Sequence, residues 1–289
     1  MRVESVYGRS RMKCSSLPLL LLALACSPGI SGGQVLVDSS SNYGDLFSPS
    51  GPPVTVDPED SLIGLTFGGS DSGSLNTYWK ATAEGGASLK ILVGVAETGA
   101  QVALNNGELQ FNVSNNQASI LGALGTGGAL DLDWSATATF NKAGSQLLLA
   151  PNTTYQLTFD VDGSNGLLNS TLGILPTFGV ELLDGSGNAV GAVGGGTLVN
   201  LVGLELLGIV GSPPRSGRAV VQFQTGSTVA SGAAGVRFTG SASAPATVLS
   251  LGTEFASVTN LNLAIVPEPS AVGLIGFGSL AFFRRRRAA

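Results

Sequence analysis

The strongest constraint on this chain is a period of two. Leu130, Leu132, Trp134, Ala136, Ala138 and Phe140 alternate with Asp131, Asp133, Ser135, Thr137 and Thr139. On an extended strand successive side chains point to opposite faces, so one set is buried and the other is wetted. The pattern returns in Leu89, Ile91, Val93 and Val95, and in Tyr155, Leu157, Phe159 and Val161 against Gln156, Thr158 and Asp160. Shorter examples are Val221 with Phe223, Val236 with Phe238, and Leu261 and Leu263 with Ile265. Turn-forming clusters punctuate these runs at Asn105-Asn106-Gly107, 162–166, 184–188 and Ser212-Pro213-Pro214. Many short strands with glycine-rich turns predict an all-β fold, an antiparallel β-sandwich of jelly-roll-like type, over 61–265. No repeat of fixed period argues for a solenoid.

Two stretches fit less well. Residues 34–60 are rich in Ser, Gly and Pro and read as a linker or an irregular first strand. Residues 189–211 are apolar and glycine-rich, with Glu205 near the middle. A carboxylate there costs a few kcal/mol in a bilayer, which favours two buried strands breaking near Gly203 over a membrane span.

Composition removes whole classes of chemistry. The 289 residues include no His and 2 Cys, so no triad or dyad can use imidazole and no zinc site can be built on it. Cys14 and Cys26 make no disulfide framework. Between Gln34 and Ser270, 6 Lys and Arg face 18 Asp and Glu, and the remaining bases sit at the two ends. An acidic body cannot neutralise a run of phosphates, so nucleic acid is not a partner.

The ends read as addresses. Arg9, Arg11 and Lys13 precede the apolar run 17–25, and Ala23-Leu24-Ala25 supplies an A-x-A cleavage pattern. This is a secretory signal over 1–33, a helix handed to the Sec translocon and cut near 25–33, with Met1 or Met12 as the start. Cys26 would be lipidated in a lipoprotein, but Ala23 stands where such signals place a larger aliphatic residue. At the other end Val266, Pro267, Glu268, Pro269 and Ser270 precede the uncharged apolar run Ala271–Phe283, and Arg284, Arg285, Arg286 and Arg287 follow it. Prolines flanking Glu268 keep that stretch extended. The arginines form a cytoplasmic stop, leaving everything before Ala271 outside. Thirteen apolar residues make only about 20 Å of helix, a short transmembrane helix suited to a temporary hold.

These residues resemble the PEP-CTERM sorting domain over 266–289. Pro267, Glu268 and Pro269 match its motif, Ala271 to Phe283 its helix and Arg284 to Arg287 its basic stop. The resemblance implies recognition by an exosortase, a membrane cysteine-peptidase-like enzyme, in a bacterium that makes exopolysaccharide. The product would be held in the membrane by its C-terminus, transiently or permanently, and then reach the cell surface or extracellular matrix. Within the body, Leu149–Val161 with its Tyr-x-Leu-x-Phe run is similar to a strand of jelly-roll carbohydrate-binding modules, with Phe178–Asp184 as its expected partner strand.

Few residues in the body suggest chemistry. Tyr78 and Trp79 lack a clear apolar register and are candidate sugar-stacking rings, whereas Trp134 lies in register with a core face. Asp160 and Asp162, with Ser164 and Asn165, offer oxygens at calcium-loop spacing, but Asn165 and Thr171 stand where an EF-hand needs Gly and Glu. Asp131 and Asp133 share a strand face, whereas glycosidases draw paired carboxylates from different strands across a cleft. The sequons at Asn112, Asn152 and Asn169 are short patterns expected by chance in an Asn-, Ser- and Thr-rich chain, and the bacterial source that the resemblance implies would make them uninformative. The expectation is an exported, non-enzymatic surface or matrix protein associated with exopolysaccharide. It needs no cofactor, calcium apart. A carbohydrate-binding or adhesive module and a carboxylate-using secreted hydrolase stand as alternatives.

Overall fold

A computed structural model describes residues 33–56, 64–91, 94–116, 129–142, 145–163, 177–193, 216–245 and 254–267. It forms an all-β antiparallel sandwich. The larger, nine-stranded sheet runs β14 (Ser216–Gln224), β12 (Thr154–Asp162), β16 (Glu254–Ile265), β8 (Glu108–Asn116), β7 (Gly94–Asn105), β6 (Ala87–Ile91) and β3 (Gly64–Phe67). Two short strands join it: β1 (Val35–Asp38) lies on β16, and β2 (Val54–Thr55) on β7. Opposite lies a five-stranded sheet ordered β13 (Thr177–Leu183), β15 (Gly235–Pro245), β9 (Ala129–Thr139), β5 (Trp79–Gly85) and β4 (Ser70–Ser74). A small hairpin, β10 (Asn141–Lys142) with β11 (Ser145–Gln146), completes the set among the described residues.

The alternation converts directly into burial. On β12, Tyr155, Leu157, Phe159 and Val161 are buried while Gln156, Thr158 and Asp160 lie half-exposed. On β9, Leu132, Trp134, Ala136 and Ala138 face the core. The sheets meet through aromatic rings, Phe159 on Phe238 at 4.9 Å and Phe111 on Phe178 at 5.7 Å between centroids. Each fully buried large side chain contributes about 1.5–3 kcal/mol. The Trp134 indole N–H donates to the Asn112 carbonyl at 2.8 Å, a polar stitch from β9 to β8 across the interior.

Glycine lets one hairpin serve both sheets. The chain passes from β3 to β4 through Gly68 and Gly69, and returns from β5 to β6 through Gly85 and Gly86. Gly68 N–H donates to the Gly86 carbonyl at 3.0 Å and Gly85 N–H to the Gly69 carbonyl at 2.9 Å. The hairpin therefore folds over at this ladder, with one half in each sheet. Gly85 has φ +91°, and a Cβ there would lie 1.9 Å from the Asp131 carbonyl oxygen, so no other residue fits.

Of the two readings of 34–60, the described residues 33–56 fit the irregular first strand: β1 pairs with β16, with a bulge between Val35 and Val37, and Tyr43, Leu46, Phe47, Val54 and Val56 are buried. Two sequence expectations need correction. The run 89–95 is not one strand, because Ile91 pairs with Gly94 and the period carries across a hairpin from β6 to β7. Phe178–Asp184 does not pair with the Tyr155 strand. β12 pairs with β14 and β16, and β13 lies in the other sheet. The expected strands near Gly203, the signal helix and the apolar run 271–283 lie outside the described residues. Among the described residues no helix is long and apolar enough to cross a membrane.

Candidate functional site

The outward face of the five-stranded sheet is built by the polar half of the alternation. Thr82 and Glu84 on β5, Asp133 and Ser135 on β9, and Thr239 and Ser241 on β15 line a shallow open trough of about 360 Å³. Register places Glu84 opposite Asp133 and Thr82 opposite Ser135, with Thr239 and Ser241 continuing the two rows on β15. The carboxyl of Asp133 is pushed above the usual aspartate range, by burial first, then by the charges of Glu84 and Asp131. Farther along the same face Arg237 donates from Nε to Glu181 Oε2 at 2.6 Å, so its charge is already matched. The trough thus offers carboxylate acceptors and hydroxyls in rows at strand spacing, about 4.8 Å apart. Sequence reasoning found Asp131 and Asp133 but missed Glu84, whose only signal was the Lys80, Thr82, Glu84 alternation.

The expected sugar-stacking rings are elsewhere. Trp79 is 0% and Tyr78 5% exposed, so neither presents a face to a ligand. Asn76 holds them in place: its side-chain oxygen accepts the Tyr78 and Trp79 N–H groups at 2.9 and 2.8 Å, and its amide donates to the Leu46 and Ser48 carbonyls. Tyr43 packs on Tyr78 at 5.7 Å and Phe47 on Trp79 at 6.0 Å. The segment read as a linker or an irregular first strand covers the rings read as a binding platform. Trp134 is buried, as its register implies.

Asp160, one of the two carboxylates of the calcium expectation, is held by its neighbours. Its carboxylate accepts Arg218 Nε at 2.9 Å and Asn260 Nδ2 at 2.7 Å, and the Arg218 bond foremost holds its pKa below the usual range. Both oxygens are engaged in holding β12, β14 and β16 together. Asp162 closes β12, and Ser164 and Asn165 lie outside the described residues. Among the described residues no three His, Cys, Asp or Glu side chains converge on a metal-sized site.

The third feature is the end of β16. Ala264 pairs with Val35 and Gln156, the Ile265 N–H donates to the Gln34 carbonyl at 2.9 Å, and the Val266 N–H donates to the Thr154 carbonyl at 2.9 Å. Pro267 is exposed, so the chain leaves the sheet at the first proline of the tail motif. Glu268, Pro269, Ser270 and the four arginines lie beyond the described residues, as do Ala23 and Ala25 of the signal.

The last of the described strands ends where the proline-flanked, arginine-terminated sequence of the tail begins. Residues 266–287 match the PEP-CTERM protein-sorting motif, which makes the chain an exported protein directed to exosortase-dependent sorting. No curated protein sequence matches it. Among solved structures it is similar to a Stig cyclase from Fischerella sp. TAU in complex with an indole compound. That match has 16% identity and a TM-score of 0.33, covering 81% of this chain and 98% of the other. An apo-form cyclase from Fischerella sp. matches at 17% identity and a TM-score of 0.31, over 77% and 88% of the two chains. Likeness at this level carries nothing about activity or ligand.

Proposed function

We propose that this is a non-enzymatic surface or matrix protein, exported, sorted through its tail and retained with exopolysaccharide through its sandwich. The observation that carries the proposal is the sorting motif starting where a folded β domain stops, so the cargo delivered by sorting is the sandwich itself. Its trough supports the polysaccharide contact. Rows of hydroxyls and carboxylates exchange hydrogen bonds with sugar hydroxyls, and an open surface suits a long hydrated chain better than a small apolar ligand. Deleting Pro267 to Pro269 is expected to leave an uncleaved, membrane-held form in fractionated cells; unchanged processing overturns the sorting role. Affinity electrophoresis of residues 33–266 in gels of the host's polysaccharide tests the contact. The wild type should be retarded, and Glu84→Ala with Ser135→Ala should migrate freely.

One observation favours a second function, hydrolysis by carboxylates. Glu84 and Asp133 come from different strands, face each other in the trough, and Asp133 holds its proton more tightly than an ordinary aspartate. Release of reducing ends from the same polysaccharide by wild type, lost in Asp133→Asn, would establish an enzyme; its absence leaves the trough a binding surface.

A further inference from the structure

We infer that the trough takes an extended chain of β-1,4-linked amino sugars, laid across the strands with an ammonium group over Glu84 and Asp133. The inference rests on the polysaccharide reading above and adds the charge of the glycan and its direction. Register lines the outward positions up in rows that cross the sheet. One row runs Ser72, Thr82, Ser135, Thr239 and Gly179, over all five strands from β4 to β13. The next runs Ser70, Glu84, Asp133 and Ser241. Each step along a row is one strand spacing, about 4.8 Å. A β-1,4-linked pyranose chain in its extended form advances by close to that distance per sugar, so successive sugars meet equivalent hydroxyls. Along a strand the surface does not repeat: on β5 the outward residues change from Lys80 through Thr82 to Glu84. A polymer of like units is matched by the rows and not by the columns.

The charge of the sugar follows from what stands beside the two carboxylates. Like charges directly opposite one another on neighbouring strands destabilise a sheet. Elsewhere this protein sets opposite charges in register, Arg237 with Glu181 and Arg218 with Asp160. Glu84 and Asp133 instead face each other, and their neighbours in the row are the uncharged Ser70 and Ser241. Lys80 lies four residues back along β5, ~13 Å at ~3.3 Å per residue, beyond the ~8 Å screening length at physiological salt. Arg237 is committed to Glu181. Burial and the charges of Glu84 and Asp131 all raise the Asp133 pKa, and no base offsets them. An ammonium group between the carboxylates cancels that repulsion and donates charge-assisted hydrogen bonds to both. A neutral sugar leaves the pair unrelieved, and a uronic acid adds a third negative charge. The hydroxyls of the adjoining row then hold the sugars on either side.

Titration calorimetry of the purified full-length protein tests this at about pH 6, where sugar amines are protonated and carboxylates ionised. The probes are β-1,4-linked glucosamine oligomers, their N-acetylated counterparts and β-1,4-linked glucose oligomers of equal length. The glucosamine series should bind about tenfold tighter than either neutral series at low salt, a gap that narrows as salt rises. Glu84→Gln with Asp133→Asn should bring the glucosamine series down to the neutral ones. Both changes relieve repulsion, so neither threatens the fold. Direction is read from Ser72→Ala and Thr239→Val, which lie three strand spacings apart in one row. Each should weaken binding of a long glucosamine oligomer by about three- to tenfold, whereas a chain lying along one strand touches at most one of them. Neutral oligomers that bind as tightly as charged ones overturn the charge of the ligand. A loss at only one of the two hydroxyls, or at neither, overturns its direction. No binding of any oligomer overturns the inference outright. Retardation of the same protein in gels of the host's polysaccharide then shows whether the polysaccharide reading falls with it.

Discussion

At the scale of single residues the fold is most exposed at its bend. Gly85 combines φ +91° with a site where a Cβ would sit 1.9 Å from backbone oxygen, whereas Gly107 in the β7–β8 turn has φ +81° and open space around it. Gly107→Ala should cost only the left-handed strain, about 1–2 kcal/mol. Gly85→Ala must also push β5 away from β9, and should lose at least about 3 kcal/mol or fail to fold. Urea unfolding of both variants checks the order; equal losses would remove the bend from the account. A charge prediction concerns Asp133. Its folded pKa is raised, so the native state binds the proton more tightly than the unfolded chain, and stability falls as pH rises from the unfolded value, near 3.8, through the folded one. Asp133→Asn lacks that fall, so it should be more stable than wild type at about pH 7 and match it at about pH 3. The aromatic pair Tyr78-Trp79 shows where residue-level reading stops. Trp79, Ala81 and Ala83 do alternate with Lys80, Thr82 and Glu84, but alanine gives so little contrast that the register was illegible. What covers the rings, Tyr43 and Phe47, comes from a segment whose Ser, Gly and Pro content conceals its few apolar anchors.

Among the elements, β16 carries the most structure. It pairs with β12 along one edge, and along the other first with β8 and then with β1. The change of partner falls at a bulge, where Asn260 has φ +51° and its side chain donates to Asp160 on the neighbouring strand. Asparagine tolerates that backbone better than most residues, and the bulge lets one strand hold two partners on one side. Because β16 is both the last of the described strands and internal to its sheet, the larger sheet cannot close until residues 254–265 are available. Leu263, fully buried beyond the bulge, ties β16 into the core. Leu263→Ala should cost about 2–5 kcal/mol in urea unfolding; a loss well under 1 kcal/mol would mean that this end of β16 is not part of the cooperative core. The strands themselves were legible because period two is local. Their pairing was not, since β12 finds partners about 60 and 100 residues away and nothing in Tyr-x-Leu-x-Phe records which sheet receives it.

For the whole molecule the decisive fact is that the domain starts and stops at the same place. Gln34 and Ile265 share a hydrogen bond of 2.9 Å, and Gly33–Val266 forms one compact unit. The two addresses read from the sequence therefore attach to adjoining points of one fold. Joining the ends tests this. A circular permutant that links Val266 to Gly33 through about four Gly and Ser residues, and opens at the exposed Asn106-Gly107 turn, keeps every strand pair except the closure of the β7–β8 hairpin. Moving the chain break changes loop-closure entropy only slightly, so the permutant should fold to the same circular dichroism spectrum and lose no more than about 2 kcal/mol. It should also lack any sorting, because residues 267–289 of the tail motif are no longer in the chain. A permutant that collapses without cooperative unfolding would mean that the signal or tail takes part in forming the sandwich, and cargo and address would not be separable. A permutant that folds leaves the trough on the five-stranded sheet intact. Binding to polysaccharide can then be measured on it free of the membrane, with Glu84 and Asp133 still opposite each other.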